Sequence, residues 1–441
     1  MAFSGAPSSP RRHRVASHNV ALMAMTTRSP LASFFLRLGR QVWVRAALFT
    51  VIAVVVALAA RFVGPLLPFS FSFDLADDAV DELLQIIATA MLTVSTFSVT
   101  AMVTAFSSAT TTATPRSTQL LIADPTSQNA VSTFVGAFTF SLVGIVALST
   151  GYYPRQGRTI LFVATLVIIG IVVFTLLRWI SHLSTFGRMA DVIDRVETAA
   201  ASSLELHAGS PTLGAHPAVA VPARAIAVHA ERVGYVTHID VAGLDRLAHS
   251  HGVDIHVRAT PGRIADSRLP LAHVTGDLGD PGIAVLRRAF RIENHRTYEQ
   301  DPRFGVIALS EIGSRALSSS TNDPGTAIEV IAALHRVFTA ALLIEPAHDV
   351  DYDRVFIAAP RLGDLVDDAF RPLSRDGAST VEVQVRLQKC LASLAASAPD
   401  RAEVFRDAAR AAHERGRRAL DRPDARTLRT AVRESWGPRG A

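Results

Sequence analysis

Four long apolar runs crowd the N-terminal part of the chain, at about residues 43–63, 83–106, 130–150 and 159–181. Each approaches or exceeds the ~20 residues that a helix needs to cross the hydrocarbon core of a bilayer. The first carries one polar residue, Thr50, between residues 46 and 60, and Arg45 and Arg61 stand at its ends, where long side chains reach the interface. Buried inside a soluble domain, four such runs would need far more polar chain to cover them than lies between them. The spacing therefore predicts an α-helical membrane domain over residues 30–182. Residues 31–44, with Phe34, Phe35 and Trp43 among Arg37 and Arg40, read as an interfacial lead-in. Residues 1–29 mix Ser, Pro, Arg and His without periodicity and are expected to be disordered.

The charge pattern predicts an orientation. Arg28, Arg37, Arg40 and Arg45 flank the first run, and Arg178, Arg188 and Arg195 follow the fourth. The first loop is acidic, with Asp74, Asp77, Asp78, Asp81 and Glu82. Arginine gathers on the cytoplasmic side of membrane proteins, so both the N-terminus and the C-terminal part are expected there, in a cell (inner) membrane. Arg155 and Arg158 in the third loop oppose this and are outnumbered. The same flanking accounts for the net charge of +5, so nucleic acid is not an expected partner. Cys390 is the sole cysteine, which excludes an intramolecular disulfide.

Beyond the spans the chain reads as an ordinary charged globular sequence. Residues 183–210 are expected to form a linking helix, ending at Gly209-Ser210-Pro211. Residues 219–280 carry strand signals at 224–228, 234–239, 253–257 and 271–274, a helix at 242–249 and a turn at Pro261-Gly262. This order resembles the small barrel-sandwich modules of lipoyl and biotinyl domains. Such carriers need an acceptor lysine, and the chain's one lysine is Lys389, so carrier function is excluded. Residues 283–375 are expected to be an α+β domain and 378–436 a set of helices. The fold class expected is thus an α-helical membrane domain of about four transmembrane helices plus a cytoplasmic α+β domain with a small β-barrel-like module and C-terminal helices.

Chemistry is sparse. In the second run Thr89, Thr93, Thr96, Thr100 and Thr104 recur every three or four residues, extended by Ser107 and Thr111, which places their hydroxyls on one helical face. Such a line serves either as a seam of small residues between helices or as the lining of a water or ion path. No span carries a central charge of the kind that proton-coupled pumps use. In the C-terminal part, a dense polar stretch holds Arg296, Gln300, Asp301, Arg315, Asn322, Asp323 and Thr326. Asp301-Pro302 and Asp323-Pro324 are helix starts, with Asp as N-cap and Pro in the first position. The arginines beside them suggest either a structural ion-pair network or a ligand site. His249, His251 and His256 lack accompanying cysteines or a carboxylate ring and are read as loop histidines, not a metal site. Glu414-Arg415-Gly416-Arg417-Arg418 is a basic cluster, read as a solvated helix face or a contact for anionic lipid. Phosphate-binding and nucleophile-elbow motifs are absent, so no catalytic residue, cofactor or metal is expected and the chain is not expected to be an enzyme.

The polar stretches resemble the signature of a bacterial membrane protein family known as domain of unknown function 2254. The matching residues are Gly234-Tyr235-Val236 with Ile239-Asp240, then Arg296-Thr297, Gln300-Asp301 and Phe304-Gly305, then Ala316-Leu317-Ser318, Asn322-Asp323-Pro324 and Thr326-Ala327. Ser319-Ser320-Thr321 departs from the Pro-Gly-containing turn that the family tends to have there. The resemblance implies four N-terminal spans and a membrane location, and supplies no activity. Two functions are therefore carried forward: a homo-oligomeric channel or channel-like pore with a cytoplasmic regulatory domain, and a membrane-anchored scaffold or sensor. The expected partners are the lipid bilayer and further copies of the chain, with a small ligand or ion as a further candidate.

Overall fold

A computed structural model describes residues 77–122, 124–152, 155–347 and 349–437, together with scattered helical positions between residues 47 and 59. The chain divides into two compact units, Met1–Ser108 with Gln119–Arg188, and Ala109–Thr118 with Met189–Ala441. The disordered segment expected at 1–29 lies outside the described residues, as does most of the expected first span. Where that span is described it is helical, and Leu48, Val51, Ile52 and Val55 are exposed.

The first unit is built from long helices. Helix α1 runs Asp77–Thr112, α2 is the short Pro115–Ile122, α3 runs Pro125–Ser149 and α4 runs Arg155–Leu183, the end of α1 and the start of α2 belonging to the second unit. Their lengths follow from uninterrupted apolar sequence, and Asp124 starts α3 by accepting from the Ser127 amide, with Pro125 in the first position. Val80 and Leu84 of α1, Phe140 and Ala147 of α3 and Leu161 of α4 form an apolar core. The opposite faces remain bare: Val163, Leu166, Val167, Ile171, Phe174, Leu177 and Ile180 of α4 are all exposed. In water so wide an apolar surface would drive aggregation; a bilayer solvates it.

Four helices among the described residues are long and apolar enough to cross a membrane: Ala79–Thr110, Pro125–Ser149, Gly157–Leu183 and Pro324–Leu342. The first three match the expected second, third and fourth spans. The last belongs to the C-terminal unit. There Ala327, Val330, Ile331, Leu334, Val337 and Phe338 are buried, so its apolar composition is that of a core helix.

The C-terminal unit has a helical half and an α/β half. In the first, α5 (Met189–Gly209), α8 (Pro302–Ala316), α9 (Pro324–Leu342), α10 (Leu362–Asp376), α11 (Val381–Ser397), α12 (Ala402–Ala419) and α13 (Arg422–Trp436) pack on one another. In the second, strands β1 (Ala215–Pro217), β2 (Ile226–Val228), β4 (Ile255–Val257), β6 (Ala272–Val274) and β8 (Tyr352–Ile357) form a mixed sheet in the order β1-β8-β4-β6-β2. Strands β3 (Gly234–Ile239), β5 (Ile264–Ala265) and β7 (Phe290–Glu293) form a second sheet in the order β5-β3-β7. Helices α6 (Val241–His251) and α7 (Gly279–Arg288) complete this half. The sheets share an apolar core that includes Val236, Leu244, Ile255, Leu271, Leu286 and Val355.

Neither sheet closes on itself, so the barrel expected for residues 219–280 is replaced by two open sheets. The reason is long-range: β8, from beyond residue 350, inserts between β1 and β4 and pairs in parallel with both.

Candidate functional site

The threonines of α1 lie on its exposed face. Thr89, Thr93, Thr96, Thr100 and Thr104 are all exposed, whereas Leu84, Ile87, Met91, Ser95, Ser98 and Met102 are buried. Each threonine hydroxyl donates to the carbonyl four residues back, at 3.0 Å: Thr89 to Gln85, Thr93 to Thr89, Thr96 to Leu92, Thr100 to Thr96 and Thr104 to Thr100. The hydroxyl protons are thus satisfied within the helix, and the oxygen lone pairs stay available on the outside. At the N-terminal end of the same row Gln85 donates to Asp81, 2.6 Å away.

The first unit holds a second polar group. Asp124, 4% exposed, accepts from the Ser127 amide at 2.7 Å and the Ser127 hydroxyl at 2.5 Å, and lies 3.0 Å from His182 Nε2. The pair links the start of α3 to the end of α4. The sequence analysis did not single out this pair, because the histidine arrives from a separate helix.

In the C-terminal unit the polar stretch splits in two. At the N-terminus of α8, the Arg296 guanidinium meets the Asp301 carboxylate through two bonds of 2.7 and 2.9 Å. Asp301 is 1% exposed and also caps α8 by accepting from the Arg303 and Phe304 amides. Arg296 lies over the Phe304 ring, 5.2 Å from its centroid, and Tyr298 packs on the same ring. Gln300 Oε1 accepts from the Ile239 amide, tying this stretch to β3. Gly262, at φ +88°, sits where a Cβ would come within 2.4 Å of Asp301 Oδ2. Its backbone is both left-handed and in close approach, so glycine is required twice over. At Gly305 a Cβ would come within 2.5 Å of Ala200, which is how α8 lies so close to α5.

The remaining predicted residues gather at the other end of α8. Asp323 caps α9, accepting from the Thr326 amide at 3.1 Å and the Thr326 hydroxyl at 2.6 Å. The Thr326 hydroxyl bond, with the amide, holds the Asp323 carboxyl below its usual range. Asn322 adopts φ +50°, and Arg315, Asn322 and Asp323 are exposed. Fifteen residues of α8, about 22 Å at ~1.5 Å per residue, separate the two groups. They are two capping arrangements, not one network.

The sequence did not point to the chain segment that the first group holds. Tyr298, whose hydroxyl is pushed well above its usual range by burial, donates to the Arg116 carbonyl at 3.2 Å. The Arg116 guanidinium binds Glu311 of α8. Segment Ala109–Thr118 is therefore bonded to the signature stretch within the C-terminal unit.

The histidines also take unexpected places. His216 on β1, Phe356 on β8, His256 on β4 and His273 on β6 are register partners across the five-stranded sheet. His216 and His256 stack on either side of Phe356, with centroids 5.3 and 4.7 Å away. His256 is therefore a buried strand residue, not a loop histidine. Burial lowers its pKa, opposed by Asp254 and reinforced by His273. Burial likewise lowers that of His273, reinforced by Arg258 and His229. His249, in the last turn of α6, lies 2.7 Å from the exposed Asp353 and 3.7 Å from the half-buried Asp245.

These features define an integral membrane protein with long apolar helices and a C-terminal α/β region. Residues 39–393 match the family described as predicted membrane protein (DUF2254), and the chain belongs to that family. No curated protein and no solved structure matches the chain.

The two carboxylates separate by mutation. Arg296→Met strands a buried carboxylate and is expected to cost about 3–5 kcal/mol in thermal or denaturant unfolding. Asp323→Asn, which still caps, should be nearly silent, whereas Asp323→Ala should cost about 1 kcal/mol. Equal losses for Asn and Ala at Asp323 would contradict capping.

Acid should loosen the five-stranded sheet. His256 and His273 have folded pKa values below their unfolded ones, so the stability they contribute is present above the unfolded pKa and is lost as pH falls through the folded values. Hydrogen exchange of β4 and β6 should speed up on acidification from neutrality, and less so in a His256→Phe variant. The same acid response in that variant would assign the effect elsewhere.

Proposed function

We propose that the chain forms a homo-oligomeric channel or channel-like pore, with the threonine face of α1 lining a path between copies. The C-terminal unit, on the cytoplasmic side, acts as its regulator, and the activity is not enzymatic. One observation carries the reading: the threonines form the outward face of α1, continuous over four turns, with their lone pairs exposed. Within one protomer Leu84, Phe140 and Leu161 belong to an apolar core among the described helices, and the threonine row lies on the exposed side of α1. The reading therefore places the path along the exposed threonine faces, between copies. Hydroxyls whose protons are already held need no partner on the neighbouring copy, and their oxygens still accept from water or coordinate a cation. The regulatory part rests on segment Ala109–Thr118, which continues from α1 and is bonded to α8 through Arg116.

Cysteines placed at Thr93, Thr96 and Thr100, with Cys390→Ser, should react with small polar thiol reagents, which need a hydrated thiolate. Cysteines at Met91, Val94 and Met102, on the inner face, should not. Thr96→Val should leave folding intact and lower ion flux in liposomes. Uniform silence along the span would end the channel reading and leave the membrane-anchored scaffold or sensor, whose C-terminal unit binds a partner or small ligand.

A further inference from the structure

The basic cluster at residues 414–418 is absorbed internally. Arg417 and Arg418 both pair with Glu414, and Arg415 donates to the Ser374 hydroxyl. Earlier in α12, Arg406 and Arg410 pair with Glu403, and Arg410 also binds Asp407. Acids three, four or seven residues away thus pair four of the five arginines of this helix, Arg406, Arg410, Arg417 and Arg418.

Helix α13 is built differently. Arg422, Arg426, Arg429 and Arg433 recur at intervals of four, three and four residues and are all exposed. At ~100° per residue they fall within about 60° of one another around the helix. Over about 17 Å of axis this makes a row of four positive charges. None of the four has an ion pair among the described residues, and the acids of α13, Asp424 and Glu434, lie off that row. Leu428, Ala431 and Val432 bury the other face. Like charges at these spacings cost a few tenths of a kcal/mol per pair. Within the chain, nothing described offsets that cost.

We propose that this arginine face docks on an anionic lipid surface. The occupant follows from the rest of the molecule: the chain is a membrane protein, so a bilayer is always within tether range, and no collision from bulk solution is needed. Anionic headgroups complement four unpaired guanidinium groups, each of which binds phosphate in a bidentate fork. Arginines near such a surface contribute about 1 kcal/mol each, which is small singly and sizeable for a rigid row of four. Helix α13 lies beyond the residues 39–393 matched by the family, so the surface is a feature of the chain outside that match. The inference does not depend on the channel reading.

Hydrogen exchange of the full-length protein tests it, in nanodiscs of phosphatidylcholine alone and of phosphatidylcholine with phosphatidylglycerol. Amides of α13 should exchange about tenfold more slowly with the anionic lipid present, and high salt should abolish the difference. The R422Q/R426Q/R429Q/R433Q variant should lose it, while R406Q/R410Q, whose arginines are paired with Glu403 and Asp407, should keep it. Thermal unfolding confirms that the quadruple variant is folded. Equal exchange in both lipids would overturn the proposal. So would retention of the difference in the quadruple variant, or equal protection by soluble polyphosphate in phosphatidylcholine discs, which would assign the face to a soluble polyanion.

Discussion

A carboxylate that is 1% exposed must be paired, and much of the C-terminal unit is arranged around that requirement at Asp301. The Arg296 fork supplies the charge, and two amides at the start of α8 supply hydrogen bonds. The neighbours follow from the geometry this imposes. Gly262 leaves room for the carboxylate, Phe304 carries the Arg296 guanidinium, Gln300 holds β3, and Gly305 lets α8 close on α5. Arg296, Gln300, Asp301, Phe304 and Gly305 of the signature are thus accounted for by structure. Two pieces of chain that emerge from the first unit are joined to it here, Ala109–Thr118 through Arg116 and α5 through Ala200.

The membrane helices obey a different rule. A hydroxyl in hydrocarbon needs a partner, and the α1 threonines find theirs in the preceding turn of their own helix. That makes the row tolerable against lipid, against another helix or against water. The proposed function builds on the placement of the row on the outer face, since self-satisfaction alone suits all three settings.

What the sequence made legible was local. The three described spans follow from runs of apolar residues, and the caps at Asp301 and Asp323 follow from Asp-Pro pairs. Strands β2, β3, β4 and β6 fall within the segments where alternation and turn residues place them. What escaped depends on distant chain. The insertion of β8, which opens the expected barrel, involves residues about a hundred positions from β4. The His216–Phe356–His256–His273 row needs the register of four strands. Arg116 and Glu311 are 195 residues apart, and His182 meets Asp124 from 58 residues away. The polar stretch looked like one site because its residues are close in sequence; α8 holds its halves at opposite ends. Pro324–Leu342 shows the converse, an apolar helix of spanning length that packs on other helices of the C-terminal unit.

The central claim is that the Asp301–Arg296 pair fixes the stretch from which Gln300 holds β3 and Tyr298 holds the segment containing Arg116. Hydrogen exchange of an Asp301→Asn variant, in the full-length protein, tests it most directly. Asparagine keeps the cap but abolishes the ion pair. The account predicts that residues 234–239 and 109–118 lose protection together with 296–304. Loss confined to 296–304, with the other two segments unchanged, would contradict it.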